Sequence, residues 1–166
     1  PEGAAQLDAL VDARRWDVWK EPFEDAAQFE DYLDVTSGNL LRAGAAMLGA
    51  RLPEAVAADA GYAIGLANWL RAVPELEASG RYPLPDGRPE TVQTLATEGL
   101  ARIARARQAR GSVDAAAAPL LFGVSEVQAL LKQAAREPGA VVSGALAVAP
   151  FRERIGLAKA ALTGRW

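Results

Sequence analysis

Gly61, Gly65, Asn68, Arg71, Ala72 and Glu75 recur at spacings of three and four. Only a helix puts such a set on one face. The face is unusual: two glycines, an amide and an opposite-charge pair, with Ile64, Leu66, Trp69 and Leu70 supplying the apolar contacts. Pro74 lacks a backbone donor and does not suit a regular helix interior, so the helix is predicted over about 53–73, with Pro53 in its first turn. Ser79-Gly80 marks a turn. Tyr82-Pro83-Leu84-Pro85 is extended, because residues before proline avoid the helical region.

Helical spacing continues on both sides of this stretch. Residues 2–15 read as a short helix with Leu7, Leu10 and Val11 on one face. The longest pattern runs from Asp25 to Gly49, where Phe29, Leu33, Thr36, Leu40, Ala43 and Met47 trace an apolar stripe flanked by Tyr32 and Leu41. Further helices are predicted over 90–110, 114–121 (capped by Ser112) and 124–136 (capped at Ser125). Residues 137–149, with Pro138, Gly139 and Gly144, read as a loop with room for a short turn. A last helix opens at Pro150 with Phe151, Ile155, Leu157, Leu162 and Trp166 as its apolar set. No segment alternates with a period of two. The expectation is one all-α domain over 1–166 with about six to eight helices, in keeping with an alanine-dominated composition that is 51% hydrophobic.

Composition removes several chemistries. Cysteine and histidine are absent, which excludes disulfides, thiolate nucleophiles, imidazole acid–base catalysis and most zinc sites. A formal net charge of −3 speaks against bulk nucleic-acid binding. No apolar run is long enough to span a bilayer, and no signal peptide is expected. The expected location is the cytoplasm, with peripheral contact to the inner membrane as the alternative.

Three polar or aromatic groupings carry weaker signals. Asp8 and Asp12 have the spacing of a metal-binding pair, but such pairs are ordinarily a solvated helix face. Trp16, Trp19, Pro22 and Phe23 form an aromatic connector, expected to pack onto the helices more than to present a partner site. Arg102, Arg105, Arg107 and Arg110 make one helix end basic, which suits the macrodipole; a patch for anionic lipid or an acidic partner is the functional alternative.

Asn68-Trp-Leu-Arg71-Ala72-Val-Pro-Glu75-Leu76, followed by Gly80-Arg81-Tyr82-Pro83-Leu84-Pro85, resembles the second metal motif of the squalene/phytoene synthase family. There Asn-x-x-Arg-Asp-x-x-Glu-Asp precedes Gly-Arg-x-Tyr-Leu-Pro. Asn68, Arg71, Glu75, Gly80, Arg81, Leu84 and Pro85 match, but the two aspartates are replaced by Ala72 and Leu76. Tyr32-Leu-Asp-Val-Thr-Ser-Gly38 resembles the family's Tyr-Cys-x-x-Val-Ala-Gly segment, and Asp17 matches an acidic position read as structural. The wording Arg71-Ala-Val-Pro74 is similar to a branch containing the mitochondrial assembly factor of respiratory complex I and its bacterial relatives. The last helix also resembles bacterial members.

The resemblance implies a helical isoprenoid-synthase-like domain corresponding to the later part of the family fold, without its N-terminal helices and first aspartate-rich motif. In active members, carboxylates hold Mg²⁺ and the metal holds the prenyl diphosphate. Alanine and leucine supply no oxygen ligand. The implied protein is therefore a catalytically silent assembly factor or chaperone for a respiratory membrane complex, with no cofactor. The alternatives are an Mg²⁺-dependent prenyltransferase joining prenyl diphosphates head to head, or an isoprenoid- or lipid-binding module. The residues implied are the remnant motif Asn68, Arg71 and Glu75, phosphate contacts from Arg71 and Arg81, and a groove formed by Tyr32, Gly38, Leu41, Gly61 and Gly65. The surface that missing helices would cover implies a homodimer or a protein partner.

Overall fold

A computed structural model describes residues 2–19 and 21–166, and among these every regular element is helical. The elements are α1 (Glu2–Arg14), α2 (Trp16–Trp19), α3 (Ala26–Leu33), a π-helical turn (Asp34–Gly38), α4 (Asn39–Met47), α5 (Glu54–Ala78), α6 (Pro89–Gln108), α7 (Val124–Arg136), α8 (Gly139–Val142) and α9 (Pro150–Thr163). Short 3-10 turns cover Arg110–Ser112 and Ala118–Leu121. The all-α expectation holds.

The axis of the fold is α5. Val56, Ala57, Ala60, Gly61, Tyr62, Ala63, Gly65, Leu66, Ala67, Trp69, Leu70 and Val73 are all buried. A helix apolar on nearly every side is a core helix, and α3, the π-turn, α4, α6, α7 and α8 all pack against it. Its small residues let those neighbours approach. The closest approach is at Gly61, where a Cβ would lie 2.5 Å from the Gly38 Cα and 2.7 Å from its nitrogen.

Pro74 does not end α5. The helix continues to Ala78, since proline removes only the bond to the carbonyl four residues earlier and the backbone at Gly144 lies against the Pro74 ring. Glu75 and Leu76 are thereby held on the same helix as Asn68. The true stop is Gly80, at φ +78°, with the Gly80 N–H bonded to the Glu77 carbonyl (2.9 Å) and the Arg81 N–H to the Leu76 carbonyl (3.0 Å), the Schellman pattern. The Trp69 indole N–H then donates to the Pro83 carbonyl at 2.6 Å and ties the extended segment back to α5.

Of the predicted stripe from Phe29 to Met47, Phe29, Leu33, Thr36 and Ala43 are buried, and Leu40 and Met47 are not. After Thr36 the next buried side chain on that side is Leu41, five residues on, and Met47 is 79% exposed. The π-turn explains the slip: the Asn39 N–H bonds to the Asp34 carbonyl five residues back, inserting one residue into the helical register. Leu40 and Met47 are thus turned outward, and Leu41, Ala43 and Ala45 inward.

Other departures have local causes. On α1 the packed positions are Gly3, Gln6, Leu10 and Ala13, whereas Leu7 and Val11 face solvent, because α1 lies against α4 with Gly3 beside Ala43 and Ala46. Residues 114–121 do not form one helix. The Arg51 N–H donates to the Asp114 carboxylate at 2.7 Å and the Asp114 N–H to the Arg51 carbonyl at 3.0 Å, and the segment around Pro119 is only a 3-10 turn. Gly123, not Ser125, precedes α7. In α9 only Ala160 is buried; Trp166, just beyond it, is the sole member of the predicted apolar set to reach the core.

The arginines of α6 and of the turn after it have partners within the fold. Arg102 pairs with Glu30 and Glu98 and stacks 4.0 Å over the Tyr62 ring. Arg105 pairs with Asp59 and Glu98. Arg107 donates to Gln128 and to the Trp166 carbonyl, and Arg110 to the same carbonyl.

The Gly38–Gly61 contact generates a prediction. Gly61→Ala is expected to lower the unfolding free energy by about 3 kcal/mol or more, because backbone and not a flexible side chain must yield. Gly123→Ala, at φ −70° with nothing within 4 Å of the added carbon, should change it by less than about 0.5 kcal/mol. Urea titrations followed by far-UV circular dichroism measure both.

Candidate functional site

A cavity of about 380 Å³ opens beside the C-terminal half of α5. From α5 it takes Gly65, Asn68, Trp69, Ala72, Glu75 and Leu76; from α3 and the π-turn, Tyr32, Leu33, Thr36 and Ser37. Arg14 and Asp17 come from the ends of α1 and α2, and Ser79 and Arg81 from the turn after α5. The helix that runs through Pro74 is what brings Asn68, Ala72, Glu75 and Leu76 along a single wall. Gly65 leaves room for Ser37, whose Oγ would sit 2.8 Å from a Cβ there.

The floor is aromatic. Trp16 stacks on Phe23 with centroids 4.1 Å apart, and Phe23, Phe29, Tyr32 and Trp69 pack edge to face around them at 5.0–5.9 Å. The aromatic connector therefore packs onto the helices; the Trp19 side chain lies outside the described residues. Offset and edge-to-face contacts of this kind fix ring positions beyond simple burial.

On this floor stands a polar chain. The Tyr32 hydroxyl donates to Asp17 at 2.9 Å, and Arg14 pairs with the other Asp17 oxygen at 3.2 Å. Burial pushes the Tyr32 phenol well above its ordinary range; Arg14 and Arg81 oppose this, and the bond to Asp17 reinforces it. The cavity thus holds a neutral phenol donor and a carboxylate already engaged from two sides. Arg81 adds a cation whose Nη1 is enclosed without a protein acceptor. Buried donors are nearly always satisfied, which makes this nitrogen an exception.

The sequence-derived residues separate into two groups. Tyr32, Gly65, Asn68, Glu75 and Arg81 line the cavity. Gly38 and Gly61 do not, because their backbones touch each other; Leu41 is buried in the core. Arg71, at the edge of the same helix face, does not line the cavity; it is half exposed and lies 3.6 Å from Glu126 of α7. Arg14 carries no motif of its own in the sequence, although it stands three residues before Asp17. Asp8 and Asp12 are exposed, with Arg15 3.6 Å from Asp12.

The donor set does not fit Mg²⁺. The cavity wall offers carboxylates only from Asp17 and Glu75; Asp17 is committed to Tyr32 and Arg14, and Ala72 and Leu76 present hydrocarbon. Mg²⁺ requires several oxygens in near-octahedral array. No cluster of three or more acidic side chains that could hold a metal occurs among the described residues. A larger cleft, of about 570 Å³, lies between α7 and α9 and shares no residue with this wall.

The squalene/phytoene synthase family model matches residues 4–149. No curated protein and no solved structure matches the chain.

Two linked outcomes are expected at Tyr32. Tyr32→Phe removes a hydrogen bond to a charged acceptor and should cost about 1–2 kcal/mol of stability. Because the folded phenol titrates above the unfolded value of about 10, the folded state keeps its proton where the unfolded chain loses it. Stability carried by the neutral phenol is intact below about pH 10 and declines as pH rises further. Tyr62, pushed up to about 12 by burial, contributes in the same sense. Denaturant titrations between about pH 8 and 11 should show the decline, with a shallower slope in Tyr32→Phe.

Proposed function

The chain belongs to the squalene/phytoene synthase family, and we propose that it is a non-catalytic member acting as an assembly factor or chaperone for a respiratory membrane complex. One observation carries the catalytic part. At the two positions where the family motif has aspartates, Ala72 and Leu76 point hydrocarbon into the retained cavity. Ionising a prenyl diphosphate requires neutralising the charge that develops on the leaving group. Arg14 and Arg81 can hold a phosphate by charge-assisted hydrogen bonds, but two arginines partly balanced by Asp17 and Glu75 are a weak substitute for a carboxylate-held metal pair.

The partner role draws support from the surface. Leu7 and Val11 of α1, Leu40 and Met47 of α4, and Leu48 beyond it are exposed on helices that pack side by side. Exposed apolar side chains in such number favour association with another chain or a second copy. The Arg71-Ala-Val-Pro74 wording, similar to that of the respiratory assembly-factor branch, supports the client class. The cavity also fits a second reading, a module that holds an isoprenoid or lipid without turnover: apolar Leu33, Trp69 and Leu76 adjoin the cationic Arg14 and Arg81.

The chain is expected to release no pyrophosphate from farnesyl or geranylgeranyl diphosphate with Mg²⁺ or Mn²⁺. Metal-dependent release above a Glu75→Gln control would overturn the proposal in favour of a prenyltransferase. The double variant Ala72→Asp with Leu76→Asp should bind Mg²⁺ at least about tenfold more tightly, since carboxylates one turn apart then face one space, and should remain inactive. Affinity capture is expected to recover subunits of a respiratory complex; a chain that is monomeric in light scattering and recovers only isoprenoid or lipid would replace the assembly role with the binding-module reading.

A further inference from the structure

We propose that α9 is a membrane-surface helix that lays its outer face on a bilayer containing anionic lipid. The inference rests on how α9 is oriented and does not depend on whether the cavity is catalytic. At 100° per residue, Phe151, Ile155, Ala158 and Leu162 fall on one stripe of this helix. In a helix packed on a protein body such a stripe faces inward. Here it faces outward: Phe151 is 72% exposed, Ile155 51% and Leu162 88%. The inward side is made of Ala160, the partly covered Glu153, and Gly156, against which Ser125 of α7 sits.

The charges complete the pattern. Arg154 borders the stripe on one side, and Arg152 and Lys159 border it on the other; all three are exposed and form no ion pair among the described residues. Three cations against Glu153 give α9 a formal charge of +2, so the rest of the chain, from a total of −3, carries −5. An anionic surface would attract this helix and repel the body, which orients the molecule. An apolar stripe edged by basic side chains is the arrangement of an interfacial helix: rings and aliphatic groups enter the acyl boundary while the long cationic side chains reach headgroup phosphates.

A bilayer fits this face better than a second copy does. The stripe lies on the convex outside of a single helix and not in a groove, and protein–protein interface cores are depleted in charge where this one is flanked by cations. No helix among the described residues is long and apolar enough to cross a membrane, so the contact proposed is with the surface only.

Sedimentation with vesicles tests this on the full chain, using phosphatidylcholine alone and phosphatidylcholine mixed with phosphatidylglycerol. The chain is expected to sediment with the mixed vesicles and not with the neutral ones, and to be released as salt is raised. Two double variants, Phe151→Ser with Leu162→Ser and Arg154→Gln with Lys159→Gln, should each weaken binding at least about tenfold. Both alter exposed side chains, so circular dichroism and the urea midpoint should be unchanged. The salt titration of the unaltered chain needs no variant and stands even where one fails to fold. Equal binding to both vesicle types, binding insensitive to both variants, or no binding would overturn the proposal. So would light scattering that shows a dimer dispersed by Phe151→Ser with Leu162→Ser in the absence of vesicle binding, which would assign the face to self-association.

Discussion

The contact between Gly38 and Gly61 sets the spacing on which the rest of this structure depends. With no side chain on either residue, the π-turn is seated directly on the backbone of α5. That proximity fixes where α3 and α4 lie along the central helix, and so which side chains can meet across the space beyond. One turn further along α5, Gly65 gives the same close approach to Ser37, though here to a side chain. Past Gly65 the residues enlarge to Asn68 and Trp69, the helices are held apart, and the cavity begins. Its position follows from a gradient of side-chain size along one helix face.

The π-turn and this contact explain each other. A π-turn forfeits regular hydrogen-bond geometry and persists where something outside the helix holds it. Here Gly38, its last residue, is pressed against Gly61, while the Thr36 hydroxyl donates to the Tyr32 carbonyl at 2.6 Å within it. The inserted residue then decides which side chains face where. Tyr32 and Leu33 point to the aromatic cluster and the cavity, and Leu41 and Ala45 are turned into the core while Leu40 and Met47 are left in solvent. The inserted residue is therefore a cause both of the site and of the apolar surface on α4.

Much of this is legible in the sequence, and the failures have physical reasons. The helix face of Gly61, Gly65, Asn68 and Glu75 is readable because its spacing is a property of the helix alone. Pro74 reads as a terminator because local propensity cannot include the packing of residue 144 on the ring. The slip between Thr36 and Leu41 is invisible because the 3.6-residue pattern fits the α-helical register equally well, and only the partner at Gly61 selects the π-turn. The arginines of α6 read as a basic patch because Glu30, Asp59 and the Trp166 carbonyl are distant in sequence. In α9 composition alone cannot tell an inward stripe from an outward one; the order of Ala160 and Gly156 against Phe151 and Leu162 decides it once α7 is in place.

The electrostatics of the cavity extend the same logic. A site built to hold divalent metal needs an excess of carboxylate, so that removing the ion's hydration shell is offset by charge. Four formal charges face this cavity, Arg14 and Arg81 against Asp17 and Glu75, and they sum to zero. Two further aspartates at 72 and 76 would make the sum −2 and would draw the arginines into ion pairs with them. With alanine and leucine there, Arg14 remains on Asp17 and the enclosed Nη1 of Arg81 has no carboxylate to meet. The substitutions cost the fold little, because both residues are strong helix formers and Leu76 packs against the core. What they change is the balance of charge on the cavity wall, which is even with alanine and leucine and would be acidic with two aspartates.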